Sequence, residues 1–452
     1  MTALTRPIRV VFNTREAGYR AKTYTASVGL FTLLSGDTVR YLVGWWGWGA
    51  VLAIFFGSSM YLLIRHGISK TISQISWPFW AFLTWIALSI IWSAYPGISV
   101  LALASQIATS LFAVFLTALF SWRHLLKIFA NVIRFILAGS FVMEFVAAVI
   151  LHGPIAPIFK NYSGNKPPAA AFYWVQGHLL DGQRIQGMVG NSNLLAFVAM
   201  LGLVIFAVEF AIIGVKRWVS VISIFASIAA VLLAKSAGIG FAIAAVAVAA
   251  VVSIAAEGKD RDTRHKYYRI AWALAGTVGI LIAVYRAEVF EFFGKSPDMT
   301  GRSGIWKLVI GLIRERPVLG WGWTSHWVPG VAPYEGLVVI KNVPYYQAHN
   351  AYLDVTMQLG FIGAAIFLVF LVSTFVPLWR LAVRHTSALY LFPILIFVGL
   401  LVWSLTESRM LIEIGWTLLA LFAIKVHDPA DSLEARGHSS KRARILNIRK
   451  RS

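Results

Sequence analysis

Three positions pair a charged or titratable side chain with a marked backbone setting. Arg184 stands in Gly182-Gln-Arg184-Ile-Gln-Gly187-Met-Val-Gly190-Asn191-Ser-Asn193, directly ahead of an apolar run. Arg302 opens Ser303–Arg314, where Ile305, Leu308, Val309 and Leu312 recur at helical spacing. His349 lies in Gln347-Ala-His349-Asn350-Ala-Tyr-Leu-Asp354, again at the head of an apolar run. A guanidinium grips phosphate through its planar fork. A helix N-terminus adds free N–H groups and the positive dipole end. An imidazole at such a terminus is held neutral and can accept a proton near pH 7. Two arginines beside a candidate base point to an anionic leaving group, a diphosphate, and to proton removal from the attacking group. Each position also has a plainer reading: an Arg snorkelling to lipid phosphates, a cap with a surface Arg, an interfacial His without chemistry. No paired carboxylates, P-loop or serine elbow is present. His152, His178 and His326 share no metal-ligand spacing, and cysteine is absent, so neither a metal nor a cofactor is expected.

The elements that must hold these residues are membrane helices. Of the 452 residues 58% are hydrophobic and 13% are charged, which excludes a soluble globular enzyme and a disordered chain. The formal net charge is nevertheless +21, so the placement of the charges decides between nucleic-acid binding and membrane topology. Apolar runs of spanning length, about 20 residues, lie near 41–64, 77–93, 99–120, 125–151, 193–214, 217–234, 237–256, 268–286, 350–378, 387–406 and 410–426. A weaker one, near 24–37, is interrupted by Gly29, Ser35, Gly36 and Asp37. No cleaved signal peptide is read at the N-terminus. With the N-terminus inside, 26 of the 40 Lys and Arg fall in segments assigned to the cytoplasmic side, the positive-inside pattern. The basic excess then reports orientation, and no nucleic-acid partner is expected.

The expected fold is an all-α polytopic membrane protein of about 12 transmembrane helices. Residues 1–23 form a basic cytoplasmic tail, 24–426 the transmembrane domain, and 427–452 a second basic tail. Two long external loops, 152–192 and 287–349, end in the three chemical motifs. Within the second, 303–314 is too short to span and is expected as an amphipathic helix on the outer membrane face, capped by Thr300 or Ser303. Asn193 stands at the expected N-cap of the span that follows the first loop. Polar residues in or beside spans are functional candidates: Arg134, Glu144, Glu209, Lys235, Glu407 and Arg409. Of these, Lys235, Glu407 and Arg409 fall on the side of the three motifs. With Asn191, Asn193, Trp306 and Asn350 they form the expected substrate-binding set, while Glu144 and Glu209 have no evident task.

These stretches resemble the O-antigen ligase and polymerase superfamily of bacterial membrane glycosyltransferases. Arg184-x-x-Gly187 with Asn193-x-x-Ala196 resembles the family's motif before a span. Gly301-Arg302-x-x-x-Trp306 followed by Pro317-x-x-Gly320-x-Gly322 resembles that of its large external loop. His349-Asn350-x-x-Leu353 with Gly360-x-x-Gly363 resembles its His-Asn/Ser-x-x-Leu…Gly signature. Ser192 stands where members often have Pro, and Lys235-Ser236-Ala237 where they often have Ser-Arg. The resemblance implies that Arg184 and Arg302 hold a polyprenyl-diphosphate-linked glycan donor. It implies that His349 activates or orients an acceptor hydroxyl, on a lipid or a glycan. It further implies metal-independent, inverting transfer at the outer face of the cytoplasmic (inner) membrane, in surface polysaccharide or lipopolysaccharide assembly. Ligase and repeat-unit polymerase share these motifs and stay open as alternatives. A lipid-linked glycan transporter or flippase is a third reading, although no repeated pair of Gly/Pro-interrupted spans marks one.

Overall fold

The computed structural model describes residues 14–67, 69–159, 172–212, 216–285, 302–340, 343–385 and 387–428. Among the described residues the regular elements are helices, apart from a two-residue antiparallel pair, Val339–Ile340 with Val343–Pro344, and an isolated bridge between Ile155 and Val175. In order the helices are α1 (Thr14–Leu34), α2 (Gly36–His66), α3 (Ser69–Ile72), α4 (Trp77–Leu88), α5 (Pro96–Leu119), α6 (Trp122–Phe145), α7 (Ser192–Ala211), α8 (Arg217–Ala234), α9 (Ala237–Ala256), α10 (Arg261–Val284), α11 (Arg302–Glu315), α12 (Ala351–Arg384), α13 (Leu391–Trp403) and α14 (Glu413–Lys425).

Among the described residues, seven helical stretches are long and apolar enough to cross a membrane: α2, α5, α6 with its π-helical extension to Ile150, α7, α8, α9 and α12. Trp77–Ile91 and Ala388–Trp403 are apolar but shorter. The runs expected near 24–37, 268–286 and 410–426 fall on α1, α10 and α14, outside that set. Helix α1 begins with polar residues, α10 opens on Arg261, Arg264, Lys266 and Arg269, and α14 has 13 residues. The chain is already helical from Thr14, inside the expected N-terminal tail. Residues 1–13, most of the expected C-terminal tail, and 160–171 and 286–301 of the two long loops, Thr300 among them, lie outside the described residues.

Helix α7 carries apolar side chains on every face, so it belongs in an interior. It is buried against α6, α8, α9 and α13. Phe197 stacks on Trp403 of α13 with ring centroids 4.1 Å apart. Helix α14 is buried on all sides as well and packs on α5, where Trp416 Nε1 donates to Ser110 Oγ at 2.9 Å.

Helix α12 breaks at Gly360, whose φ of 66° lies in the left-handed region. The break deflects the N–H of Phe361 to Pro317 O at 2.8 Å. The carbonyls of Met357 and Gln358, left without their helical donors, accept from Trp321 N (3.1 Å) and Gly322 N (2.9 Å). Buried backbone groups are thus satisfied across the break. A Cβ on Gly360 would lie 2.0 Å from Val318 O, and one on Gly320 would lie 2.5 Å from the Gln358 backbone. Pro317-x-x-Gly320-x-Gly322 and Gly360 are therefore two halves of one interlock. It ties the loop after α11 into the helix that begins next to His349.

Helix α11 is amphipathic. Ile305, Val309, Leu312 and Ile313 pack with Tyr95, Trp327, Tyr334, Val338, Ala348 and Met357 in a core of their own. Leu308, grouped with this face by spacing, is instead exposed. The starts of α7 and α12 and the ends of α8 and α13 meet near the N-terminus of α11.

Candidate active site

The turn between α13 and α14 carries Glu407, whose side chain is 5% exposed. Its oxygens gather four residues from three other segments. Oε1 accepts from Asn193 Nδ2 at 2.8 Å and from an Arg302 terminal nitrogen at 3.0 Å. Oε2 lies 3.0 Å from His349 Nδ1 and accepts from Gln347 Nε2 at 3.0 Å. Burial pushes the Glu407 carboxyl up, but its contacts with His349 and the nearby Arg302 and Arg409 outweigh it and hold the group down at about 2. Glu407 is therefore an ionised acceptor, and the His349 nitrogen facing it must carry the proton. The other ring nitrogen, Nε2, has no hydrogen-bond partner among the described residues. This geometry leaves it as an acceptor for an incoming hydroxyl proton.

Arg184 approaches from the other side. Its Nε donates to Ala234 O at 2.9 Å, at the end of α8, and a terminal nitrogen donates to Asn193 Oδ1 at 2.6 Å. Both acceptors are neutral. Burial pushes the guanidinium down, Glu407 pushes it up, and Arg302 pushes it down again, with a net lowering. Arg302 keeps Nε buried without a partner among the described residues. Arg302 and His349 thus share one carboxylate while Arg184 meets only neutral acceptors, and the surplus positive charge suits an anion.

The supporting contacts assign the remaining candidates. Asn191, not Asn193, caps α7: its side chain accepts from Asn193 N at 2.9 Å and Leu194 N at 3.1 Å. Asn193 is two residues too far along to cap, and its amide instead links Arg184 to Glu407. Asn350 caps α12, accepting from Tyr352 N and Leu353 N. Trp306 Nε1 donates to Ala348 O at 3.0 Å, fastening α11 beside His349. Lys235 ends α8 in the left-handed region and its amine donates to Gly182 O, beside Arg184. Arg409 turns away from the cluster to Glu413 Oε2 at 3.2 Å; Glu413 also meets Arg40, which pairs with Asp37.

The two acids without a task acquire one. Glu144 Oε1 accepts from Gln186 N (2.8 Å) and Gly187 N (2.9 Å), pinning the turn that follows Arg184. Glu209 pairs with Arg134 and accepts from Ser220 Oγ. Gln347, Asp354 and Ser408 were not singled out from sequence. The legible signal is an Asp in the first turn of an otherwise apolar span.

Residues 188–368 match the family described as O-antigen ligase. The exopolysaccharide production protein ExoQ of Rhizobium meliloti (strain 1021) is 25% identical over 197 residues, 42% of this chain and 45% of that protein. The chain thus matches less than half the length of this relative. Residues 188–368, which carry the motifs around Arg302 and His349, are thus similar to an O-antigen ligase family.

Proposed function

We propose that this protein transfers a glycan from a polyprenyl-diphosphate carrier to an acceptor hydroxyl, at the outer face of the cytoplasmic membrane of a bacterium. The observation that carries this reading is the single buried carboxylate of Glu407, shared by Arg302 and by His349 Nδ1 at 3.0 Å each. His349 Nε2 takes the acceptor proton as the hydroxyl oxygen forms its bond to the anomeric carbon. The bond from that carbon to the diphosphate breaks on the opposite side, which inverts the configuration. The charge gathering on the leaving diphosphate is met by Arg184 and Arg302, already in place before the step. Glu407 holds the ring and stabilises the imidazolium that forms. Lys235 extends the cationic side, and Asn193 keeps Arg184 in register with Glu407. The reaction so drawn needs no metal. About twelve spans, counting α1, α10, α14 and the shorter apolar helices, with basic loops inside, would put this end of the bundle outside.

Ligase-like transfer to a lipid-linked acceptor is the first form of this reading. The second is polymerisation, in which the acceptor is itself a growing lipid-linked glycan. The relative named for exopolysaccharide production favours that form. Purified protein, a polyprenyl-diphosphate glycan and candidate acceptors separate them. A single transfer with an inverted linkage supports the ligase, and a ladder of products supports the polymerase. Carrier crossing a vesicle without a new glycosidic bond would replace both with a transporter.

A further inference from the structure

We propose that Asp354, in the first turn of α12, is a positioning residue that sets the His349–Glu407 pair for proton transfer. The inference rests on the glycan-transfer reading of the same site. Asp354 is buried, and its two oxygens serve different segments. Oδ1 accepts from Trp327 Nε1 at 2.8 Å and fastens the loop that follows α11. Oδ2 accepts from Ala348 N at 3.0 Å and from the Ser408 hydroxyl. Ala348 immediately precedes His349, and Ser408 immediately follows Glu407. The circuit closes on itself: Ser408 Oγ accepts from Asn350 N at 3.2 Å, on the far side of His349, and Ser408 N donates to Gln347 Oε1 at 3.3 Å.

Both neighbours of the base and the neighbour of its carboxylate partner therefore hang on one oxygen, directly or through one hydroxyl. His349 sits at φ 51°, in the left-handed region that non-glycine residues avoid. Such a conformation persists where the surroundings over-determine it, and it clusters at functional sites. Here the surroundings are the two backbone anchors supplied through Oδ2. Misplacement of a reacting group by about 1 Å costs on the order of a hundredfold in rate, so this oxygen bears on catalysis without touching substrate. Oδ1 bears only on the loop.

That division makes the idea testable in the full chain, reconstituted in nanodiscs with a polyprenyl-diphosphate glycan donor. Ser408→Ala is expected to lower kcat at least tenfold, to leave the donor KM within twofold, and to shift the acid limb of the kcat pH profile. Asp354→Asn should do the same where it folds, and Asp354→Glu should recover part of the loss. Trp327→Phe should lower Tm but hold kcat within twofold. Wild-type kcat and pH profile in Ser408→Ala, or an equal loss in Trp327→Phe, would overturn the assignment. A second readout is the rate at which diethyl pyrocarbonate modifies His349, followed by peptide mass spectrometry. It should change several-fold in Ser408→Ala and not in Trp327→Phe, and an unchanged rate in Ser408→Ala contradicts positioning. If the wild type transfers no glycan at all, the functional reading fails, and this labelling still decides the positioning role.

Discussion

Glu407 is the residue on which the site turns, and it is also the one whose role was least legible beforehand. Arg184, Arg302 and His349 could be read as chemistry because each stands at the mouth of an apolar run in a glycine-marked motif. The partner that Arg302 and His349 share lies 58 residues from His349 and 105 from Arg302. No local spacing encodes such pairings; they arise only when α12 and α13 pack side by side. Removing the charge in Glu407→Gln leaves a guanidinium and an imidazole facing each other without a counter-ion. Loss of one partner from a buried ion pair costs roughly 3–5 kcal/mol, so the variant should unfold at clearly lower temperature in detergent. The pH dependence has a defined sign. The carboxyl is held at about 2 against an ordinary 4.5. Its contribution to stability is therefore fully present above about pH 4.5 and is lost as the pH falls through 2. The gap in Tm between wild type and Glu407→Gln should be widest near neutrality and should close as the pH drops toward 2. A constant gap across that range contradicts the ion-pair account.

At the scale of elements, hydrophobic periodicity located most of the helices, because a membrane helix must be apolar over its full length. It also placed the short amphipathic α11, whose face follows the Ile305, Val309 and Leu312 spacing. What periodicity misses is the break in α12. Gly360 sits inside a continuous apolar run, and only the loop threaded against it explains the glycine. The cap of α7 was misplaced by two residues for a related reason. Asn191 and Asn193 are chemically alike, and the choice between them follows from the pull of Glu407 and Arg184 on Asn193. Gly360→Ala tests the interlock. At φ 66° and ψ −176° Gly360 occupies a region essentially confined to glycine, where a side chain costs about 1–3 kcal/mol, and the added methyl would strike the carbonyl of Val318. The variant should lose thermal stability and release the loop between α11 and α12, seen as faster proteolysis near Pro317. Gly304→Ala, where an added Cβ meets nothing within 4 Å, is the matched control and should behave as wild type.

For the whole molecule, the proposed orientation accounts for a net charge of +21 on an apolar chain. In the proposed function the positive charge that serves chemistry is that of Arg184, Arg302 and Lys235. The absence of cysteine makes orientation directly measurable. An impermeant maleimide applied to intact cells should label His178→Cys, in the loop that leads to Arg184. It should reach Arg261→Cys, at the start of α10, only after the membrane is opened; the reverse pattern would invert the proposed orientation. The central claim is that one site, with Arg184 and Arg302 on the diphosphate and His349 as base, makes the glycosidic bond. Its most direct test is the rate of glycan transfer by the purified chain in nanodiscs from a polyprenyl-diphosphate donor. Wild type would be compared with Arg184→Ala, Arg302→Ala and His349→Ala at matched expression and folding. The account predicts turnover by wild type and a fall of about 10²–10⁴-fold for His349→Ala, with losses of about 10²–10³-fold for each arginine. Transfer at the wild-type rate by all three variants would contradict it.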